Sequence, residues 1–354
     1  MCATVPKDLP QVSIVIPTYN RGRYISECID FLLSLQYPKD LVEIIVVDGG
    51  STDETPKILS GYTERGLIKF IRQKGRGVAE ARNEGINVAK GTIVAFIDDD
   101  CTADLNWLFY LVEPYKDECV GGVGSESLPD PKQDHNIIAK YINLRSEAVL
   151  LKSYAPFSTN NISYRRDILT EIGGFDISLE TGEDLDLKIR VLNKEFLVRL
   201  APKAIVWAKV RENLSDFIKT DCIRRGRGYV KFMIKYRKTI FNFVGGRKLL
   251  PQISFVAILT LTIALVAFNL IAGFIPFFIL LFSTLFYFVY RGIKLAHING
   301  EYSKTIHLMI LDIIHSIFVG YGFITKSIKV ITLSIKSYAL SMDDPHVISK
   351  GDSQ

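Results

Sequence analysis

Three adjacent acids, Asp98-Asp99-Asp100, follow directly on the apolar run Thr92-Ile-Val-Ala-Phe-Ile97. Like charges at this spacing repel, and so apolar a strand rarely opens into a merely solvated turn. A divalent cation resolves the repulsion, because Mg²⁺ or Mn²⁺ takes one or two carboxylates and completes its shell with phosphate oxygens and water. Asp48 ends a second apolar run and leads into Gly49-Gly-Ser-Thr-Asp53. That segment reads either as the lining of a ligand site or as a turn whose Asp or Ser caps a helix at Thr55. Thr181-Gly-Glu183-Asp184-Leu-Asp186-Leu-Lys-Ile-Arg190 opens a helix. A Thr181 cap, acids at the positive helix end and an Asp186–Arg190 pair one turn apart give it a structural reading. One carboxylate facing a cleft as a general base gives it a catalytic reading. Finally, Arg72, Lys74, Arg76 and Arg82 form either a solvated basic face or the partners of a nucleotide diphosphate.

These groups need elements to hold them. Val12-Ser-Ile-Val-Ile16, closed by Pro17, and Val42–Asp48 are β-branched runs, and between them Ile25, Cys28, Ile29, Leu32 and Leu35 make a helical stripe. The alternation continues with a strand over 68–71, a helix over 78–89 and a strand over 92–97. Strands alternating with helices imply βαβ units and a parallel sheet, whose ligands sit at the carboxyl ends of the strands, where Asp48 and Asp98 fall. From Pro114 to about Val210 the periodicity weakens. Gly121-Gly122, Pro129, Pro131 and Pro156 suggest loops, with helices near 137–151 and 183–192, as in a second lobe of the same α/β domain. Gly75-Arg-Gly77 lacks the third glycine of a dinucleotide fingerprint and does not follow the first strand, so a dehydrogenase is poorly supported.

Composition divides the chain in two. It has 354 residues, 48% hydrophobic and 23% charged, and Gln252–Tyr290 contains no Asp, Glu, Lys or Arg. At about 1.5 Å rise per residue, 251–290 is long enough for two crossings of a bilayer core of about 30 Å, with Gly273 and Pro276 placed to turn the chain. Basic residues from Lys219 to Lys248 precede this stretch, and Arg291 and Lys294 follow it. Such flanks mark the cytoplasmic side and attract anionic lipid rather than nucleic acid, for which no motif is present. A third apolar segment, about 305–325, contains His307, Asp312 and His315 and reads as a further transmembrane helix or an interfacial one. The 5 cysteines show no CxxC spacing. Met1–Pro10 has no apolar core, so the N-terminal half is expected to stay cytosolic. The expected order is a domain over 1–235, a basic juxtamembrane segment over 236–250, a transmembrane hairpin over 251–290 and a C-terminal region over 291–354. The expected location is the cell membrane, with more than one pass.

Taken together, Val12-Ser-Ile-Val-Ile-Pro-Thr-Tyr-Asn-Arg21, Val47–Asp53, Ala81-Arg-Asn-Glu-Gly85, Phe96–Asp100, Ile172-Gly-Gly-Phe-Asp176 and Gly182–Leu187 resemble the motifs of the inverting family 2 glycosyltransferases with the GT-A fold. They occur in that family's order over about residues 11–230. The resemblance implies a UDP- or GDP-linked sugar donor, with Pro17, Tyr19 and Asp48 lining the base pocket and Asp98 and Asp99 bordering ribose and diphosphate. Asp100, with Asp98 beside it, would hold Mn²⁺ or Mg²⁺, and Asp184, with Glu183 next to it, would be the base. Arg76 and Arg82 remain the candidates for the diphosphate. Two departures stand out. The Gln-x-x-Arg-Trp motif of processive synthases is missing near Arg224-Arg225-Gly226. Ala208 and Lys209 stand where many relatives place a His, which removes an expected second metal ligand. A membrane-linked acceptor follows from the hairpin, either a lipid-linked saccharide or a polyprenyl phosphate. A catalytically silent, membrane-anchored binding protein is the alternative class, and the intact acids argue against it.

Overall fold

Val12–Thr18 (β1) is buried at every position, as a strand covered on both faces must be. In the computed structural model, which describes residues 9–125, 127–150, 159–236, 286, 290, 310–319, 321–322 and 324–329, this strand is central. It pairs in parallel with Val42–Asp48 (β2) and Ile93–Phe96 (β4), and β2 pairs in parallel with Lys69–Arg72 (β3). The connections are helices Ile25–Ser34 (α1), Thr55–Glu64 (α2) and Val78–Val88 (α3). Because they run parallel, β1, β2 and β4 bring their carboxyl ends to one edge. Alternate residues of β1 face opposite layers. Val12, Ile14 and Ile16 pack with α1 and Trp107–Val112 (α4), and Val15 packs with α3.

The expected parallel sheet is only half of the sheet present. After Cys101–Ala103 (β5), the chain adds Val120–Gly124 (β6), Ser127–Pro129 (β7), Ile162–Arg165 (β8), Leu197–Leu200 (β9) and Val206–Ala208 (β10). The seven-stranded sheet has the order β3-β2-β1-β4-β8-β6-β9, and β5-β10-β7 form a small second sheet. β8 runs antiparallel to both β4 and β6. Gly121 and Gly122, expected in a loop, therefore lie in a buried strand. The reason is steric: a Cβ on Gly122 would stand 2.6 Å from the Tyr164 ring and one on Gly121 would stand 2.7 Å from Phe196. Helices Ile137–Leu150 (α5), Arg166–Glu171 (α6) and Glu183–Asn193 (α7) complete this half.

The described residues fall into two units, one ending at Glu212 and the next beginning at Asn213. In the second, a π-helical stretch Phe217–Ile223 runs into the helix Arg224–Lys235. Residues 310–319, 321–322 and 324–329 are helical, with the Phe217 and His315 rings 6.3 Å apart. Here Asp312, His315 and Ser316 are buried alongside Leu311 and Val319, while Ile310, Tyr321, Ile328 and Lys329 are exposed. Among the described residues no helix is long and apolar enough to cross a membrane. Apart from Phe286 and Tyr290, the hairpin expected over 251–290 lies outside the described residues, as does most of 236–250.

Candidate active site

β1 and β2 stop side by side, and the turns after them interlock. Asp48 is fully buried, and its carboxylate accepts from the Ser51 backbone N–H at 3.1 Å and from the Ser51 hydroxyl. Asn20, in the left-handed region at φ 53°, donates its N–H to Ser51 Oγ at 2.7 Å and accepts from Thr52 N at 2.8 Å. Asp48 therefore shapes the loop that meets the Pro17–Asn20 turn. Pro17 is buried, while Tyr19 is 59% exposed and projects from the same edge.

β4 delivers the three acids beside this edge. Asp99 and Asp100 face Arg21, whose guanidinium lies 3.4 Å from one and 3.6 Å from the other. Burial, then the neighbouring Asp100, pushes the Asp99 carboxyl up to about 7. Burial and then Asp98 raise Asp100 as well. Arg21 thus offsets only part of the charge, and a cation supplied from outside would lower the remaining repulsion. Among the described residues no three His, Cys, Asp or Glu side chains converge to hold a metal unaided. This fits an ion that completes its shell with phosphate oxygens.

Arg82 connects the acids to α7. It is 2% exposed, and its two terminal nitrogens donate to Asp98 Oδ1 and Glu183 Oε1, each at 3.0 Å. The basic group read from the sequence therefore separates: Arg82 is a buried bridge, whereas Arg72, Lys74 and Arg76 are exposed. Glu84 orders their loop by accepting from Lys74 N at 2.8 Å and Gly75 N at 3.2 Å. Next to Arg82, Asn83 accepts from Phe175 N at 2.7 Å and donates to Phe175 O at 2.9 Å, which fixes the Gly173-Gly174 loop. Arg190 closes that loop from the other side through Ile172 O and Gly174 O, at 2.9 and 2.6 Å, while paired at 2.8 Å with buried Asp186.

The start of α7 separates its acids by role. Glu183 is committed to Arg82 and Asp186 to Arg190. Asp184 is half-buried, and its charge reaches Lys188 one turn later, where burial lowers the ammonium pKa and Asp184 opposes that shift. The helix begins at Gly182, at φ 84°, with no side-chain cap, so the expected Thr181 cap is not the one used. A glycine there lets the chain turn sharply and brings Glu183 under Arg82. Sequence reasoning does not single out two neighbours of the acids. Arg21 is visible there only as the last residue of the Pro17–Arg21 motif. Lys209 gives no positive signal, yet its backbone N–H donates to Asp100 O at 3.1 Å.

An α/β sheet with acids at the carboxyl edges of β2 and β4, a buried arginine joining them to a second acidic helix start, and a small flanking sheet define a GT-A-like glycosyltransferase domain. Residues 13–173, a little under half of the chain, match the model of Glycosyl transferase family 2. Probable glycosyltransferase YdaM of Bacillus subtilis is 28% identical over 249 residues, which cover 66% of this chain and 59% of its own length. Glucosyl-dolichyl phosphate glucuronosyltransferase of Haloferax volcanii is 25% identical over 203 residues, 54% of this chain and 63% of its own. The chain thus spans about three fifths of the length of these curated relatives. The mannosyltransferase PcManGT of Pyrobaculum calidifontis, solved with GDP-Man and Mn²⁺, shares the fold with a TM-score of 0.60 at 20% identity, covering 91% of this chain and 89% of that one.

Proposed function

We propose that this protein transfers one glycosyl group, with inversion, from a UDP- or GDP-linked sugar to a membrane-linked acceptor, either a lipid-linked saccharide or a polyprenyl phosphate. The observation that carries this reading is the Arg82 bridge, which ties the acids after β4, read as the leaving-group site, to the start of α7, which carries the base of this reading. Pro17, Tyr19 and the Asp48 loop border the nucleotide, and exposed Arg76 meets the diphosphate from the same edge. Asp98 and Asp100 would hold Mn²⁺ or Mg²⁺, in keeping with PcManGT, and the bound ion would stabilise negative charge on the departing diphosphate. Asp184, the half-buried acid between the two that Arg82 and Arg190 hold, removes the proton of an acceptor hydroxyl as the bond forms.

A location at the cell membrane, with this domain on the cytosolic face, is part of the same proposal. It is supported by the uncharged stretch 252–290, by the exposed Arg224, Arg225 and Arg227, and by exposed Ile310, Tyr321 and Ile328. The name of the Haloferax relative, which acts on a dolichyl phosphate-linked sugar, is consistent with a lipid-linked acceptor. The test is to incubate detergent-purified protein with Mn²⁺, a panel of nucleotide sugars and both acceptor types. Release of one nucleoside diphosphate matched by glycosylated lipid is the expected result. No release with any donor and acceptor would overturn the proposal.

A further inference from the structure

Lys209 occupies an unusual place for a lysine. β10 pairs antiparallel with β5, Ala208 opposite Cys101, so the next step of the register sets Lys209 opposite Asp100. Directly opposed residues put their side chains on the same face of a sheet. A cation is thus built in beside the carboxylate expected to meet the metal.

The ammonium does not lie on Asp100. It pairs with Glu27 of α1 and lies 4.6 Å from the centre of the Tyr24 ring. Glu27 has a second ammonium partner, Lys132, at 3.0 Å, and the two together hold its carboxyl below the usual range. Lys132 is 78% exposed along its side chain, whereas Lys209 is 23% exposed. One carboxylate is therefore shared by two cations, and the solvated one stays with it if the other turns away. Arg21 and Arg23 also approach the Tyr24 ring, at 6.0 and 5.5 Å. Two further acids near Glu27 have partners of their own: Asp30 accepts from Tyr62 Oη at 2.5 Å, and Asp130 accepts from Lys132 N at 2.9 Å. Of the cations gathered round this ring, Arg21 is occupied by Asp99 and Asp100, and the flexible lysine arm is the member best able to turn towards an incoming anion.

We propose that Lys209 is a phosphate-binding residue at the Asp100 edge of the site, held in reserve by Glu27 and passed to a phosphate oxygen of the substrate while Lys132 retains Glu27. The inference rests on the nucleotide-sugar reading and adds to it a cationic group at the metal edge. The phosphate belongs to the donor diphosphate or to a phosphate-bearing acceptor, and the two are separable by experiment.

The experiment is calorimetric binding of UDP, GDP and a short polyprenyl phosphate, each with Mn²⁺, to the full chain and to Lys209→Met, Lys209→Arg and Glu27→Gln. Loss of a charge-assisted bond should weaken the affected ligand by roughly 10- to 100-fold in Lys209→Met. Lys209→Arg should keep most of the affinity, and Glu27→Gln, which frees the ammonium, should raise it. If the Glu27–Lys209 pair were merely structural, Lys209→Met and Glu27→Gln would move affinity in the same direction. That result overturns the proposal, as does unchanged binding of all three probes by Lys209→Met. Weakening confined to UDP or GDP assigns the donor diphosphate, and weakening confined to the polyprenyl phosphate assigns the acceptor. Should Lys209→Met fail to fold, unchanged or reduced affinity in Glu27→Gln is sufficient to reject the idea. A wild-type chain that binds neither UDP nor GDP rejects the nucleotide-sugar reading itself.

Discussion

Arg82 and Glu183, 101 positions apart in sequence, meet at 3.0 Å in the interior of the domain. The same guanidinium holds Asp98 at 3.0 Å, lies 5.6 Å from the Phe175 ring and leaves its Nε buried without a hydrogen bond. A cation so enclosed is retained only because two carboxylates share it.

Arg82→Met should therefore remove the charge that neutralises buried Glu183. Breaking a buried pair from one side costs about 3–5 kcal/mol, which urea unfolding would register as a large drop in midpoint. Adding Glu183→Gln to Arg82→Met should recover part of the loss. An unchanged midpoint in the single variant would mean that the bridge carries little of the fold.

Asp99 should make the metal-free protein less stable as pH rises. Its folded pKa of about 7 lies above an unfolded value of roughly 3.9, so between these values the folded chain holds a proton that the unfolded chain has lost. This contribution is present below about pH 4 and is lost as pH climbs through 7. The gap between the two pKa values corresponds to about 4 kcal/mol, so Asp99→Asn should raise the melting temperature by about 8–16 °C at pH 8 and leave it nearly unaltered at pH 4. A pH slope identical to that of the wild type would contradict the assignment.

Asp184 and Asp100 should fail differently. Asp184→Asn should leave nucleotide-sugar affinity almost intact and slow transfer by roughly 10²- to 10⁴-fold, the usual share of general base catalysis. Asp100→Asn should weaken Mn²⁺-dependent nucleotide binding as well. Calorimetry paired with single-turnover transfer separates the two. Equal loss of donor affinity would make Asp184 structural, and undiminished transfer by Asp184→Asn would mean that the acceptor arrives already ionised, as a phosphate does.

Gly85 should tolerate no side chain. A Cβ there would collide with Val15 Cγ1 on the central strand, where the neighbours are fully buried. Gly85→Ala should cost about 1–3 kcal/mol by overpacking, and Val15→Ala in the same chain should return some of it. Independent, additive losses would show that α3 does not approach β1 this closely.

The first four strands and the helices α1 and α3 are legible in the sequence because each carries its own period, and their boundaries agree with the structure to within a residue or two; α2 shows there only as a possible start at Thr55. The second half is not. Gly121-Gly122 has the composition of a turn, and only the Tyr164 ring packed against it explains why a strand needs glycine there. Similarly, acids at Asp48, Asp98 and Glu183 are legible as a site, but the roles of Asp48 and Arg82 depend on the partners that folding brings to them. Asp48 turns inward to Ser51, and Arg82 is enclosed by two acids. Lys209 shows the limit most clearly, since its place beside Asp100 comes from β5–β10 register alone.

The strand order also has a temporal consequence. β4 lies between β1 and β8, and its partner on the second side, Ile162–Arg165, is made long after Ile93–Phe96. At about 5–20 residues per second, an emerging chain carries an apolar, unpaired β4 edge for several seconds. Nascent chains arrested inside that window should be captured by chaperones that bind bare strands, and those arrested after Arg165 should escape them. The join between the parallel and antiparallel halves, a static detail of the finished sheet, is thus the point where synthesis leaves this protein most exposed.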